Sequence, residues 1–188
     1  MPVNTGTETA IVRIDSTGAV TAQFGIASHG QGLETTLAQV IAEELGVSVE
    51  DVRVIHGDTD GIAHGSGTFA SRSTVLAGGA AILSARAVKE QVFKAAAHIF
   101  ETNPIDLDAV AGQIFVKGTD RRMRDRQLAK ALYCEMGRFP KQLREEISLE
   151  ATRMYDPIFG TTSPASHLAM VEVDRGTYLS LIHISEPT

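Results

Sequence analysis

Two glycine-rich stretches hold the side chains best suited to chemistry. The first reads Ser28-His29-Gly30-Gln31-Gly32, the second Gly65-Ser66-Gly67-Thr68-Phe69-Ala70-Ser71-Arg72-Ser73-Thr74. Each follows a strand-like run and opens a helical pattern. A helix N-terminus presents N–H groups without intrahelical partners and the positive end of the peptide dipole, so it favours anions. Glycine lets the backbone come close to a ligand, and hydroxyls add donors. Ser71, Ser73 and Thr74 surround Arg72, whose guanidinium can take a pair of anionic oxygens in a fork. Two such loops in one chain suit an elongated polyphosphate ligand such as a dinucleotide. That reading requires them to lie side by side around one concave site. The alternative is that both are capped turns, with Arg72 committed to an internal bridge with Asp58 or Asp60.

Other chemistries lose their anchors. The spacing Gly25-x4-Gly30 has Gln31 and Gly32 where a phosphate-binding P-loop needs Lys and Ser or Thr, and no GxGxxG occurs. Asp58-x-Asp60-Gly61 places Ile62 at the third ligand position of a calcium loop. His29, His56 and His64 lack zinc-ligand spacing, and no HExxH or GxSxG is present. Glu34 reads as a first-turn acid complementing a helix dipole, not as a catalytic group, and no residue is assigned a catalytic role.

The elements that position these loops read as an α+β fold of antiparallel hairpins packed with helices. Strand-like runs cover residues 9–15 and 19–24, joined by a turn at 16–18. Leu33, Leu37, Val40, Ile41 and Leu45 form one helical stripe that Gly46 caps. A strand at 52–56 precedes the second loop, and a long helix at 73–100 follows it. Its small run, residues 77–81, admits either a flat ligand or close packing. Strands at 113–117, 149–155 and 168–173 and a helix at 126–136 complete the pattern.

Composition narrows the setting. The 188 residues are 43% apolar with a net charge of −6, which suits a globular core and disfavours non-specific nucleic-acid binding. Lys117 to Arg144 holds nine basic residues against three acids, a solvated face or one that meets another subunit. The lone Cys134 supports neither an internal disulfide nor a sulfur-only metal site. Apolar runs are too short to span a membrane. With no basic and apolar leader at the start, a cytoplasmic location is expected. The final ten residues, Leu-Ser-Leu-Ile-His-Ile-Ser-Glu-Pro-Thr, resemble the in-frame translation of a transposase sequencing adapter. Residues 1–178 are therefore expected to be a partial domain and 179–188 a foreign tail.

Three motifs in order, Gly30-Gln-Gly-Leu-Glu-Thr-Thr-Leu-Ala-Gln39, His56-Gly-Asp-Thr-Asp60 and Gly67-Thr-Phe-Ala-Ser-Arg-Ser-Thr74, resemble the molybdenum-binding large subunit of the xanthine dehydrogenase/aldehyde oxidase family. The similarity is greatest to its carbon monoxide dehydrogenase branch. The resemblance implies a partial molybdopterin-binding domain of a molybdenum hydroxylase, carrying molybdopterin cytosine dinucleotide. It implies that Gln31 and Ala70 lie at the metal. It further implies that His29, Gly30, Gln31, Gly32, Thr68, Phe69, Ala70, Ser71, Arg72, Ser73 and Thr74 bind the cofactor. FAD and 2Fe-2S clusters are expected only on partners, an FAD-binding medium subunit and an iron–sulfur small subunit. The family's catalytic glutamate and the rest of the large subunit fall outside these residues, so the fragment alone is expected to be inactive. The competing reading is a non-catalytic phosphate- or dinucleotide-binding module.

Overall fold

A computed structural model describes residues 6–157, Ser166 and 168–178. Alternation along the first two strands decides the layering. β1 (Glu8–Ile14) and β2 (Val20–Phe24) pair antiparallel, and Ala10, Val12 and Ile14 share one buried face with Phe24, Ala22 and Val20. The turn between them is tied by Asp15, whose Oδ1 accepts from Thr17 N at 2.7 Å and Thr17 Oγ1 at 2.6 Å. The Thr17 hydroxyl is the main cause that holds this carboxyl below its usual range.

α1 (Leu33–Leu45) lays Leu33, Leu37, Ile41 and Leu45 on that face and ends at Gly46, with φ 77°. A Cβ at Gly46 would lie 2.1 Å from the Ala109 carbonyl oxygen, so only glycine fits. β3 (Val52–His56) then pairs parallel to β2, a direction the sequence reading left open. A full helix between two strands returns the chain to the same end of the sheet, which makes β2–α1–β3 a crossover unit. The four-stranded sheet is mixed, in the order β3-β2-β1-β7, with β7 at Glu150–Tyr155.

The long helix divides. Ser73–Ala77 is a π turn, and α2 runs from Gly78 to Phe100. Its small run serves close packing: a Cβ at Gly79 would sit 2.2 Å from the Tyr155 ring of β7. Ser84 Oγ donates to Ala10 O at 2.9 Å, fixing α2 on β1. A second sheet, β4 (Leu107–Val110), β5 (Gln113–Val116) and β6 (Arg122–Arg124), is wholly antiparallel and packs with α3 (Asp125–Cys134). α4 (Lys141–Glu146) leads into β7. β4, β6 and α4 are too short to carry a periodic signal and escaped the sequence reading. The basic side chains of residues 117–144 are exposed, as a solvated face requires.

Residues 168–173 do not form the expected strand. Among the described residues there is a single bridge at Val173, and Leu168 is 92% exposed. Apolar alternation yields a strand only where a neighbour accepts its ladder of hydrogen bonds. The suspected foreign tail, residues 179–188, lies outside the described residues. No helix among them is long and apolar enough to cross a membrane.

Candidate functional site

The two glycine loops meet at the ends of β2 and β3, where α1 and the π turn begin. Gly25 and Gly65 touch backbone to backbone: a Cβ on Gly25 would fall 2.3 Å from Gly65 Cα. Thr68 stitches the loops together, its Oγ1 accepting from Ala27 N at 3.1 Å and donating to Ala27 O at 2.6 Å. Gly57 N donates to Ile26 O at 2.9 Å, adding the end of β3 to the same cluster.

His56 brackets the first loop. Its Nδ1 accepts from Ser28 N at 3.4 Å, while Nε2 lies 2.6 Å from Glu34 Oε1. Acceptance at Nδ1 assigns the neutral ring with its proton on Nε2, which donates to the Glu34 carboxylate. That hydrogen bond is the largest cause holding the Glu34 carboxyl below its usual range. Glu34 is thus a first-turn acid of α1, as its position suggested, with an added task of orienting His56.

The second loop is strained where it turns. Ala70 and Ser71 both adopt left-handed backbone, with φ 49° and 55°. Two successive non-glycine residues there cost about 1–3 kcal/mol each and require outside support. Arg72 runs inward from this turn. Its guanidinium donates to Glu8 Oε2 at 2.8 Å, to Thr7 O at 2.7 Å and to Gly67 O, and lies 5.1 Å from the Phe69 ring centre. Neither the Arg72 nor the Glu8 side chain is exposed. Of the bridge expected for Arg72, the structure keeps the ion pair and changes the acid. The guanidinium is buried, and its acidic partner is Glu8 of β1, not Asp58 or Asp60. Glu8 had a legible signal, since it shares the phase of Ala10, Val12 and Ile14 on the buried face and such a carboxylate needs a partner.

The remaining residues face outward. His29, Gly30, Gln31, Gly32, Phe69, Ala70, Ser71 and Thr74 are exposed, so the face the two loops share is open. Gly30, Gly32 and Gly67 have φ of 90°, 71° and 86°, and a Cβ on any of them would meet nothing within 4 Å. Their backbone therefore borders free space. Gln31 Oε1 accepts from His29 N at 2.5 Å, which leaves its amide nitrogen as the outward donor. Ser73 is buried, and its Oγ has no hydrogen-bond partner among the described residues. Backbone N–H groups, hydroxyls and one amide make a neutral donor set suited to an anion. Among the described residues no group of three or more His, Cys, Asp or Glu could hold a metal ion directly.

Comparison with known proteins shows what this chain is similar to. Residues 2–182 match the family model of the molybdopterin cofactor-binding domain. The carbon monoxide dehydrogenase large chain of Hydrogenophaga pseudoflava is 39% identical over 166 residues, 88% of this chain and 20% of that protein. The 6-hydroxypseudooxynicotine dehydrogenase complex subunit gamma of Paenarthrobacter nicotinovorans is 45% identical over 124 residues, 66% of this chain and 16% of the relative. The crystal structure of quinoline 2-oxidoreductase from Pseudomonas putida 86 superposes with a TM-score of 0.76 at 35% identity, covering 93% of this chain and 22% of that one. The chain spans about a fifth of the length of the relatives it matches.

Proposed function

The chain belongs to the molybdopterin cofactor-binding domain family of molybdenum hydroxylase large subunits, and on that premise we propose that residues 28–32 and 67–74 cradle a molybdopterin dinucleotide in its cytosine form. The observation that carries this reading is the pair of loops joined by Thr68, with left-handed backbone bordering free space and the buried Ser73 hydroxyl left without a partner. Neutral donors of this kind suit a pyrophosphate and a pterin edge.

When bound, the cofactor supplies the redox chemistry by which such enzymes hydroxylate a substrate carbon with oxygen from water. The chain binds and orients. Gln31 would hold the metal end through its amide nitrogen, and Ala70 through its backbone. Ser71, Ser73 and Thr74 give hydroxyls to the pterin and phosphates, and His29, Gly30, Gly32, Thr68 and Phe69 complete the walls. Arg72 belongs to the frame behind this surface. An iron–sulfur small subunit and an FAD-binding medium subunit carry electrons away, in the cytoplasm. The named relatives differ in substrate, carbon monoxide in one and quinoline in another by their names, and the reading assigns substrate choice to parts of the large subunit beyond these loops.

Molybdenum analysis and nucleotide release on the purified large subunit test the proposal. Equimolar molybdenum and cytidine nucleotide are expected. A subunit that carries neither would overturn it, and a different nucleotide would overturn the assignment to the cytosine form.

A further inference from the structure

We propose that Glu8 and Arg72 form a positioning pair that sets the Ala70–Ser71 turn, and with it the direction of the N–H groups offered to the cofactor, without touching the cofactor. The proposal rests on the cofactor reading above and names the residues that keep its surface in shape. The contacts of Arg72 flank the strained turn. Gly67 O and the Phe69 ring lie before it, Arg72 itself comes directly after it, and Thr7 and Glu8 of the first strand sit beneath. Glu8 extends the frame further. Its Oε2 also accepts from Ser66 N at 3.4 Å, and its Oε1 lies 2.8 Å from where a Gly25 Cβ would stand, against the contact between the two loops.

A buried ion pair is a poor device for stability alone, because the cost of removing two charges from water offsets most of their attraction. Its distinctive property is direction. A planar guanidinium meets oxygens only along its N–H bonds, so one side chain bound to a carboxylate and two backbone carbonyls fixes the relative placement of three chain segments. An apolar pair fills the same volume but imposes no such angles. The geometry therefore separates two roles that a single substitution confuses.

Amide hydrogen exchange on the 188-residue chain, read together with thermal unfolding, tests the pair. Removing one partner leaves a buried charge and can unfold the protein, so the informative variants are the double Glu8→Leu/Arg72→Met and the single Arg72→Lys. The double variant is expected to unfold within a few degrees of the parent while amides 70–74 exchange at least tenfold faster. Arg72→Lys keeps the charge opposite Glu8 but loses the fork to Thr7 O and Gly67 O, and is expected to speed the same amides. In the large subunit both variants should lose molybdenum and nucleotide at least tenfold. Parent-like exchange in a folded double variant overturns the proposal. Should the double variant not fold, parent-like exchange in Arg72→Lys overturns it equally. A parent subunit without cofactor refutes the cofactor reading instead, and exchange in the cofactor-free chain still decides the role of the pair.

Discussion

At the scale of single residues, Gln31 and His56 act on the same loop by different means. Gln31 points its amide nitrogen outward from an exposed loop and carries no packing duty. Gln31→Ala should leave molybdenum content unchanged and lower kcat of the complete enzyme about 2–12-fold, the range of one neutral hydrogen bond at 0.5–1.5 kcal/mol. Metal analysis beside steady-state kinetics checks both halves. His56→Ala removes the acceptor of Ser28 N and the donor to Glu34. The Ser28 amide should exchange about tenfold faster, and the Glu34 carboxyl should titrate higher than in the parent by carbon-detected NMR, while its backbone and Ser28 hydrogen bonds still hold it down. Because the folded pKa of Glu34 is lowered, the bracket is present above the unfolded carboxylate pKa and is lost as pH falls through the lowered value. Arg72 marks what types and spacing leave unread. Its hydroxyl-rich neighbours suggest an anion site by local composition, yet whether a guanidinium turns outward or inward depends on a carboxylate 64 positions away. Glu34, in contrast, was legible, because a first-turn position fixes its role by geometry within one helix.

Among the elements, close contacts and half-buried charges give the sharpest tests. Gly79→Ala should lower stability by about 1–3 kcal/mol, since its Cβ would enter the Tyr155 ring and overpacking exceeds the roughly 1 kcal/mol gained in helix propensity. Urea midpoints measure the loss, and adding Tyr155→Leu should recover much of it. Asp125 opens α3 with its N–H on Gly112 O at 3.1 Å, and burial foremost, then the charge of Asp51, pushes its carboxyl above the usual range. A raised folded pKa contributes stability below the unfolded pKa that is lost as pH rises through the folded value. Asp125→Asn should therefore raise Tm at pH 7, by a few degrees, and change it little at about pH 3; equal shifts at both would refute the assignment. Long periodic elements such as α1 and α2 were legible because one face is buried along several turns. β4 and β6 were not, since three or four residues hold less than one helical repeat and the pairing that makes them strands comes from β5. The parallel direction of β3 was also hidden, because local sequence states that a strand exists and not which neighbour accepts it.

For the molecule as a whole, the open surface and the short span set the expectations. The 188-residue chain should show no hydroxylase turnover even with cofactor supplied, because it spans only about a fifth of the length of the enzymes it matches; dye-linked assays with aldehydes and N-heteroaromatics check this. A chain ending at residue 178 should unfold within a degree of the 188-residue form if the last ten residues are foreign, and a fall of several degrees would make them native. The distance in sequence between the paired charges of the site has a further meaning during synthesis. At roughly 5–20 residues per second, Arg72 leaves the ribosome about 3–13 s after Glu8, its partner 64 positions earlier. Throughout that interval the first hairpin can zip, but the end of β1 that carries Glu8 must stay hydrated, because its carboxylate has no cation to enter the interior with. The second loop can thus settle on β1 only once Arg72 has emerged, and β7, which pairs with the same strand at Glu8, arrives later still.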